Sequence, residues 1–417
     1  INLDLKSNTR MFRIIQGDVG SGKTIVALLS IANVIENKQQ CALMAPTEIL
    51  AKQHFDLAKK IFNGTNVNIQ FLTGKTEYKE RKKIVAQLEN GIVDFIIGTH
   101  ALFQKKINFK DLGFAVIDEQ HKFGVKQRKK LSDKGGKNCD ILVMSATPIP
   151  RTMIMTIFGD MDVSIIKNKP KNRKEIITLS KFDKKIDEII SFSKKQIKNG
   201  NQIFWVCPLI EESKKVDHQS SIKRYEYLKK YFPNKVGILH GALDKDIKDK
   251  ILKDFLNRKI DILVSTTVIE VGIDFPNANV IIIENANKFG LSQLHQLRGR
   301  VGRGANQSYC ILMSGNKISA DGKTRLQTMI DTNDGFKLAE VDLKLRGPGD
   351  MMGTKQSGML NFKIADIIKD NKILLHAREQ AIKLIEEDFD LLKSENINIA
   401  RFYRPYARER MGWSRIS

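Results

Sequence analysis

The 417-residue sequence predicts an α/β protein with two tandem parallel-sheet domains, each covered by helices on both faces. Two observations predict this class. Short runs of apolar residues alternate with segments whose apolar residues recur at helical spacing, and this alternation occurs twice along the chain. Runs that are apolar throughout are typical of strands buried on both faces, as in parallel sheets covered by helices. The length is also too great for one ordinary core.

The predicted strands follow the apolar runs in order. In the first half these are RII, CALMA, IQFLT, DFIIG, FAVID and ILVMSAT, with helical spacing in TEILAKQHFDLAKKIF and EYKERKKIVAQLENG between them. Residues 159–175, GDMDVSIIKNKPKNRKE, are highly charged and contain Pro170, which favours a linker. The alternation then resumes with EIITL, QIFWVCPLI, VGILH, DILVS, VIIIE and YCILM, although no sequence repeat relates the two halves.

These patterns predict four segments. The first domain is expected at residues 1–163 and the second at 164–320. In 321–392, KTRLQTMIDTNDGFKLAEVDLKLRGPGD favours two helices around a turn at 333–335, and ADIIKDNKILLHAREQAIKLIEE favours one or two more. Residues 393–417 are basic and aromatic without clear periodicity, and we expect a flexible tail.

Composition limits the function classes. The 70 basic and 47 acidic residues give a net charge of +23, which fits either a polyanionic partner or a general bias towards lysine. Each of the four cysteines adjoins an apolar run, and none forms a CxxC pair, so we expect small buried hydrophobes in a reducing compartment. No apolar run could span a bilayer and the first residues are not a signal peptide, so we expect no membrane association and a cytoplasmic location.

The stretch GDVGSGKT at residues 17–24 predicts a phosphate-binding loop, because it lies between an apolar run and a helical pattern. Gly17, Gly20, Ser21 and Gly22 would let backbone N–H groups surround phosphate oxygens at a helix N-terminus. Lys23 would neutralise the β- and γ-phosphates, and Thr24 would be a ligand of Mg²⁺. The pattern therefore indicates a nucleotide triphosphate with Mg²⁺.

Further polar residues follow the ends of predicted strands. In FAVIDEQHKFG, Asp118 would hold Mg²⁺ against the phosphates, and Glu119 would orient or deprotonate the attacking water. His121 directly follows this pair, and Ser145 and Thr147 follow the run ILVM in the same half. An acidic pair or a polar strand end is often only structural, and the phosphate-binding loop upstream is what favours a functional interpretation.

The segment QLHQLRGRVGRG places Arg298, Arg300 and Arg303 on a short helix rich in glycine. Such a cluster is commonly a solvated or phosphate-binding face. A nucleotide site whose loop lies on another domain, however, needs a cation at the γ-phosphate, and a planar guanidinium suits that role. Arg300 and Arg303 are one turn apart, so both could reach one phosphate.

Together and in this order, the loop, DEQH, SAT and QLRGRVGR resemble the motor of superfamily 2 helicases, which have two RecA-like domains. GDVGSGKT, DEQHKFGV, SATPIPRT and DTNDGFKLAEVDLKLRGPGDMMGTKQSG are most similar to the RecG branched-DNA helicase family. The transcription-repair coupling factor shares the last segment but differs at Ser21 and in the DEQH box. The resemblance covers roughly residues 8–390 and includes no part of the tail.

The resemblance implies an ATP- and Mg²⁺-dependent helicase that regresses forks and migrates Holliday junctions in DNA repair and recombination. It implies that Asp274 contacts the ribose and that Gln296, His121, Ser145 and Thr147 couple the nucleotide site to the DNA site. It also implies that branched DNA and single-stranded DNA-binding protein are partners. It also implies DNA contact or translocation by Pro46, Thr47, Thr99, His100, Thr266, Arg325, Arg346 and Gln356. The last three would hold a helical hairpin against the arginine helix.

The resemblance also places an adenine-reading segment and a wedge domain upstream of Ile1, so we expect this chain to be the motor portion of a longer protein. Three alternatives stay open: a double-stranded DNA translocase like the coupling factor, an RNA helicase, and a clamp that binds nucleic acid without hydrolysing ATP. The intact Lys23, Asp118 and Glu119 argue against the clamp.

Overall fold

The computed structural model describes residues 1–104, 107–118, 139–145, 161–168, 174–208, 214–266, 275–302, 304, 306–351 and 370–404. Within these ranges the side chains of residues 103, 214–220, 245, 346–351 and 371 are not described. None of the helices in the described ranges is long and apolar enough to cross a membrane.

The first domain contains a parallel sheet of seven strands in the order β3-β4-β2-β5-β6-β1-β7. Its strands are β1 (Phe12–Gly17), β2 (Gln40–Met44), β3 (Ile69–Leu72), β4 (Phe95–Gly98), β5 (Leu112–Asp118), β6 (Asp140–Ser145) and β7 (Asp162–Ile166). Its described helices are α1 (Asn2–Leu5), α2 (Lys23–Glu36), α3 (Glu48–Ile61) and α4 (Tyr78–Glu89). All six predicted strands are confirmed.

The second domain contains a parallel sheet of six strands in the order β10-β11-β9-β12-β13-β8. Its strands are β8 (Ile177–Phe182), β9 (Gln202–Val206), β10 (Val236–Leu239), β11 (Ile262–Ser265), β12 (Ala278–Ile283) and β13 (Tyr309–Ser314). Its helices are α5 (Ile186–Lys198), α6 (Lys214–Tyr231), α7 (Lys245–Leu256) and α8 (Leu291–Arg298). These six predicted strands are confirmed as well.

The two sheets have the same strand order, with β8 to β13 taking the places of β1, β2, β3, β4, β5 and β6. Two glutamines at equivalent positions reflect this. Gln40 begins β2 and donates to the carbonyls of Leu88 and Val93, at the end of α4 and in the loop after it. Gln202 begins β9 and donates in the same way to two carbonyls at the end of α7 and after it. The predicted similarity of the two domains is therefore confirmed.

The predicted linker is wrong in one part. Residues 162–166 form β7, which pairs in parallel with β1, so the first sheet extends across the predicted boundary at 163/164. The strand was missed because its five residues, DVSII, begin with an exposed charged residue and the other four are only partly buried. An edge strand has only one paired neighbour and needs no fully apolar run.

Each sheet separates two hydrophobic clusters, because successive side chains of a strand point to opposite faces. The neighbours Ile14 and Ile15 on β1 belong to different clusters of the first domain. Phe204 and Trp205 on β9 do the same in the second. This burial on both faces is what the continuous apolar runs predicted.

The remaining helices are α9 (Ala320–Asp331), α10 (Gly335–Met351) and α11 (Asn371–Glu387). α9 and α10 form the predicted helical hairpin, whose Leu326, Met329 and Leu338 belong to a cluster of the second domain. Beyond α11, residues 397–404 are helical. The Asp388 carboxylate fixes the intervening turn by accepting hydrogen bonds from Leu392, Lys393 and Asn396. The described part of the tail, 393–404, thus has regular structure where flexibility was expected.

Candidate functional site

The predicted phosphate-binding loop, residues 17–24, connects β1 to α2. Gly20 and Gly22 have φ values of 74° and 100°, a left-handed conformation that strongly favours glycine. A Cβ on Gly17 would lie 2.4 Å from the Ser21 hydroxyl, so a side chain there would displace the loop. The buried Lys23 ammonium donates to the carbonyls of Gly17 and Asp18 at 2.6 and 2.9 Å. The loop and its lysine are therefore held in place by local contacts.

Asp118 ends β5, two strands from β1 in the same sheet, and is buried. Parallel strands end at a common edge, so Asp118 and the hydroxyl of Thr24, in the first turn of α2, lie on the side of the sheet where the loop is. One carboxylate and one hydroxyl supply the oxygen ligands that Mg²⁺ prefers when phosphates complete its shell. Across the described ranges no group of three or more His, Cys, Asp or Glu side chains could form an all-protein metal cage. These residues therefore fit Mg²⁺ bound together with a nucleotide.

The Asp118 carboxylate has a partner that the sequence analysis missed. His54 on α3 is 95% buried, and its Nε2 lies 2.7 Å from Asp118 Oδ2. The residue lies in TEILAKQHFDLAKKIF, which the sequence analysis predicted as a helix without assigning a role to His54. Its place two turns into a helix gave no signal of this pairing, because 64 residues separate it from Asp118 in sequence.

The arginine helix α8 approaches the phosphate-binding loop from the second domain. His295 Nε2 on α8 lies 3.1 Å from Asp18 Oδ1 in the loop. A Cβ on Gly299 would lie 2.9 Å from a methyl group of Val19, so glycine permits this approach. The buried Arg300 follows α8, and the half-buried Gln296 lies on it. α8 thus brings the described part of the predicted arginine segment to the predicted phosphate-binding loop.

The same helix is bonded to the hairpin at both of its ends. Arg298 Nη1 donates to the carbonyls of Met329 and Thr332, at the end of α9, at 2.8 and 3.0 Å. Burial lowers the pKa of this guanidinium. At the other end of α8, Asp342 of α10 accepts from the Ser292 hydroxyl at 2.8 Å and from the backbone N–H groups of residues 291 and 292 at 3.4 and 3.3 Å. The hairpin therefore caps the arginine helix.

A chain of side-chain contacts connects the phosphate-binding loop to the hairpin. Asp18 contacts His295 Nε2, and His295 Nδ1 lies 3.3 Å from Arg298 Nη2. Since the guanidinium can only donate, Nδ1 accepts, and the neutral ring then carries its proton on Nε2 facing Asp18. Arg298 was part of the predicted cluster without this role, and Asp18, His295 and Asp342 were missed.

The predicted hairpin residues differ from those that make these bonds. Arg325 lies on α9, and its buried Nε has no hydrogen-bond partner within the described ranges. The main chain of Arg346 belongs to α10, but its side chain lies outside the described part. Outside it too are six predicted site residues: Glu119, His121, Thr147, Asp274, Arg303 and Gln356. Ser145 is described, ends β6 and pairs in register with Gln16 on β1.

The predicted nucleic-acid contacts follow the carboxyl ends of β2, β4 and β11. Thr47 caps α3, with its hydroxyl 3.3 Å from the N–H of Leu50. Thr99 is buried after β4 and Thr266 is buried after β11, the strand that takes β4's place in the second domain. The Thr266 hydroxyl has no partner among the described atoms. Pro46 precedes Thr47, and His100 follows Thr99 with an exposed side chain.

Three family models match successive parts of the chain. The DEAD/DEAH box helicase model matches residues 5–156, and the helicase conserved C-terminal domain matches 170–305. The model for ATP-dependent DNA helicase RecG, domain 3, C-terminal, matches 332–417. The third match reaches the last residue, so it includes the tail to which the motifs gave no resemblance.

The chain is also similar to curated proteins over almost its whole length. ATP-dependent DNA helicase RecG of Bacillus subtilis (strain 168) is 50% identical over 390 residues, covering 93% of this chain and 57% of that protein. The RecG of Thermotoga maritima is 48% identical over 393 residues, covering 94% and 50%. The chain thus spans about half the length of the curated relatives that it matches.

Among solved structures, RecG bound to a three-way DNA junction matches with a TM-score of 0.75 at 45% identity, covering 89% of this chain and 48% of that one. Dbp5 of S. cerevisiae bound to RNA and ADP BeF3 matches with a TM-score of 0.59 at 20% identity, covering 82% and 90%. The second likeness concerns the fold alone. These findings confirm the predicted fold class and the family resemblance.

Proposed function

Because the chain belongs to the RecG family of superfamily 2 helicases, we propose that it is an ATP-dependent motor that moves on DNA and remodels branched DNA. Its substrates are replication forks and Holliday junctions, in DNA repair and recombination. The solved relative bound to a three-way junction supports this substrate class. Single-stranded DNA-binding protein is a proposed partner, and the cytoplasm is the proposed location.

The observation that carries the proposal is the position of α8 between two functional parts. On one side it contacts the phosphate-binding loop through His295 and Asp18. On the other it is bonded to the α9–α10 hairpin through Arg298 and Asp342. Such an arrangement can convert closure of the nucleotide site into movement of the hairpin, because charge-assisted bonds at both ends make α8 and the hairpin one body.

In the proposed hydrolysis step, Lys23 and the loop N–H groups would bind the β- and γ-phosphates, and Asp118 and Thr24 would hold Mg²⁺. When bound, the metal neutralises charge that develops on the phosphate oxygens. Glu119 orients the attacking water and accepts its proton. Arg300 and Arg303 bring positive charge to the γ-phosphate from the second domain, and Asp274 contacts the ribose.

In the proposed DNA step, one strand lies across the carboxyl edges of both sheets. Thr47 and Thr99 contact its backbone from the first domain and Thr266 contacts it from the second. Pro46 and His100 adjoin these contacts. Arg325, Arg346 and Gln356 act in the hairpin, and Gln296, His121, Ser145 and Thr147 couple the nucleotide to the strand. Support comes from the +23 net charge and from the equivalent positions of Thr99 and Thr266 in the two sheets.

The test compares ATP hydrolysis by the chain with a three-way junction, a Holliday junction, linear duplex DNA and duplex RNA, and Lys23→Ala serves as the inactive control. We expect branched DNA to stimulate most and RNA least. Equal stimulation by linear and branched DNA would favour a simple duplex translocase, and equal stimulation by RNA would favour an RNA helicase. Absence of turnover in folded protein would leave only the non-catalytic clamp.

A further inference from the structure

Helix α3 touches three functional parts of the molecule. Its N-cap is Thr47, at the edge proposed to bind DNA. In its first turn, Ile49 packs against the hydrophobic cluster of the second domain. Two turns along, His54 contacts the carboxylate of Asp118.

The contact between His54 and Asp118 has the geometry of a positioning bond. Nε2 lies 2.7 Å from Oδ2, both side chains are about nine-tenths buried, and the bond is therefore short and shielded from water. A carboxylate held at one oxygen cannot rotate freely, and Oδ1 would then be the oxygen that binds the metal. In metal sites, a partner of this kind typically changes metal affinity by about 10–100-fold.

The helix between these points is rigid. His54 is seven residues from Thr47, about 10 Å along the axis at 1.5 Å per residue. Leu50 and Ala51 lie between the two contacts and are buried in the cluster beneath α3, as are Phe55 and Ala58 in the turns that follow, so the helix is packed through and beyond this span. A displacement of its N-terminus is therefore passed to His54 without being absorbed by an intervening loop.

We propose that His54 is a positioning residue that transmits engagement of the α3 N-terminus, by a DNA strand and by the second domain, to the Mg²⁺ ligand Asp118. The inference rests on the proposed DNA-dependent hydrolysis of ATP. It assigns part of the stimulation of ATP hydrolysis by DNA to one side chain that lies outside both the phosphate-binding loop and the DEQH segment. His54 contacts neither nucleotide nor DNA in this assignment and acts through Asp118.

The test uses the whole chain in three variants. His54→Ala removes the contact, and His54→Gln replaces Nε2 with an amide nitrogen that can donate to the same oxygen. Asp56→Asn is the matched control, because its exposed side chain lies on the same helix and pairs only at the surface with Lys52. Folding is checked by melting temperature before each comparison.

Two quantities are measured. The first is ATP hydrolysis with and without duplex DNA, over a range of DNA concentrations. The second does not depend on turnover: it is the affinity for a fluorescent ADP, titrated with Mg²⁺ and compared with the same measurement in EDTA.

We expect His54→Ala to lower the DNA-stimulated kcat about 10-fold and to raise the Mg²⁺ concentration for half-maximal ADP affinity about 10-fold. The DNA concentration for half-maximal stimulation and the affinity in EDTA should stay near those of the parent. His54→Gln should recover most of both losses, and Asp56→Asn should match the parent.

Parental values for His54→Ala in both measurements would overturn the proposal. So would equal losses in His54→Ala and His54→Gln together with a lowered melting temperature, since His54 would then serve only stability. If the parent itself does not respond to DNA, the proposed function fails and the transmission with it, whereas the Mg²⁺ titration still decides separately whether His54 positions Asp118.

Discussion

Replacing Asp342 with alanine should weaken the link between the hairpin and the arginine helix without touching the nucleotide site. Asp342 lies on α10 and supplies the N-terminal cap of α8, whose own N-cap residue, Gly290, has no side chain to do so. The side chain is buried, and its bonds go to residues 291 and 292. The phosphate-binding loop lies at the opposite end of α8.

The magnitude follows from the three contacts. The 2.8 Å bond from Ser292 Oγ is charge-assisted and is worth about 1.5–3 kcal/mol. The backbone contacts at 3.3 and 3.4 Å are long, and as a cap they add about 0.5–1 kcal/mol. We expect the free energy of unfolding to fall by about 2–4 kcal/mol, which is below the roughly 5–15 kcal/mol of a typical domain. The melting temperature should therefore fall by several degrees, at about 2–4 °C per kcal/mol, with the fold retained.

The assay measures DNA-stimulated ATP hydrolysis and triplex displacement on one preparation. Hydrolysis should stay within about twofold of the parent, while displacement per ATP should fall at least fivefold. Fivefold is the lower end of the roughly 5–150-fold effects that are typical of coupling between two sites. Glu340→Ala is the control, since that side chain is exposed on the same helix. A proportional loss of both activities would refute the proposed coupling between α8 and the hairpin. Unchanged displacement in a variant of lowered melting temperature would refute it as well.

Three further predictions concern the nucleotide site, the charge and the cysteines. Lys23→Ala should keep the fold and lose about 10²-fold or more in ATP turnover, because one transition-state cation is removed; near-parental turnover by a folded variant would argue against the phosphate-binding loop. The logarithm of DNA affinity should fall linearly with the logarithm of salt concentration, with a slope of about −3 or steeper, because phosphate contacts release counterions. Fluorescence anisotropy measures this dependence, and a flat profile would assign the +23 net charge to composition alone. The four buried cysteines should resist DTNB in the folded protein and all react in guanidinium, since burial raises the pKa of Cys139 and of Cys310 to about 12; rapid labelling of the native chain would contradict this.

The fold was predictable because its strands are buried on both faces. The apolar side chains of a run such as FAVID can be buried on both faces of a strand only in the interior of a covered sheet. β5 has every residue buried. β7 escaped prediction for the opposite reason, since an edge strand with partial burial has no such pattern. The same limit applies to the turn at Asp388, where three hydrogen bonds to one carboxylate give structure to a segment without periodicity.

The site was predictable only where the chemistry is local in sequence. The loop from Gly17 to Thr24 carries its own context, and the structure has the predicted strand, loop and helix there. The partners of these residues are remote: His54 is 64 residues from Asp118, and His295 is 277 residues from Asp18. Histidine is common in cores and surfaces alike, so single-sequence reasoning had no means to select these two.

The shared core of the hairpin and the second domain bears on how the motor would move. Leu326, Met329 and Leu338 of the hairpin belong to the same cluster as the strands of the second sheet. Close packing makes such a core move as one body. With α8 bonded to the hairpin at both ends, a swing of the hairpin against the second domain would break this packing and the bonds of Arg298 and Asp342. In the proposed motor, the arrangement therefore favours movement of the second domain and hairpin together, so that the contacts of α8 and α3 across the two domains are the ones that would change.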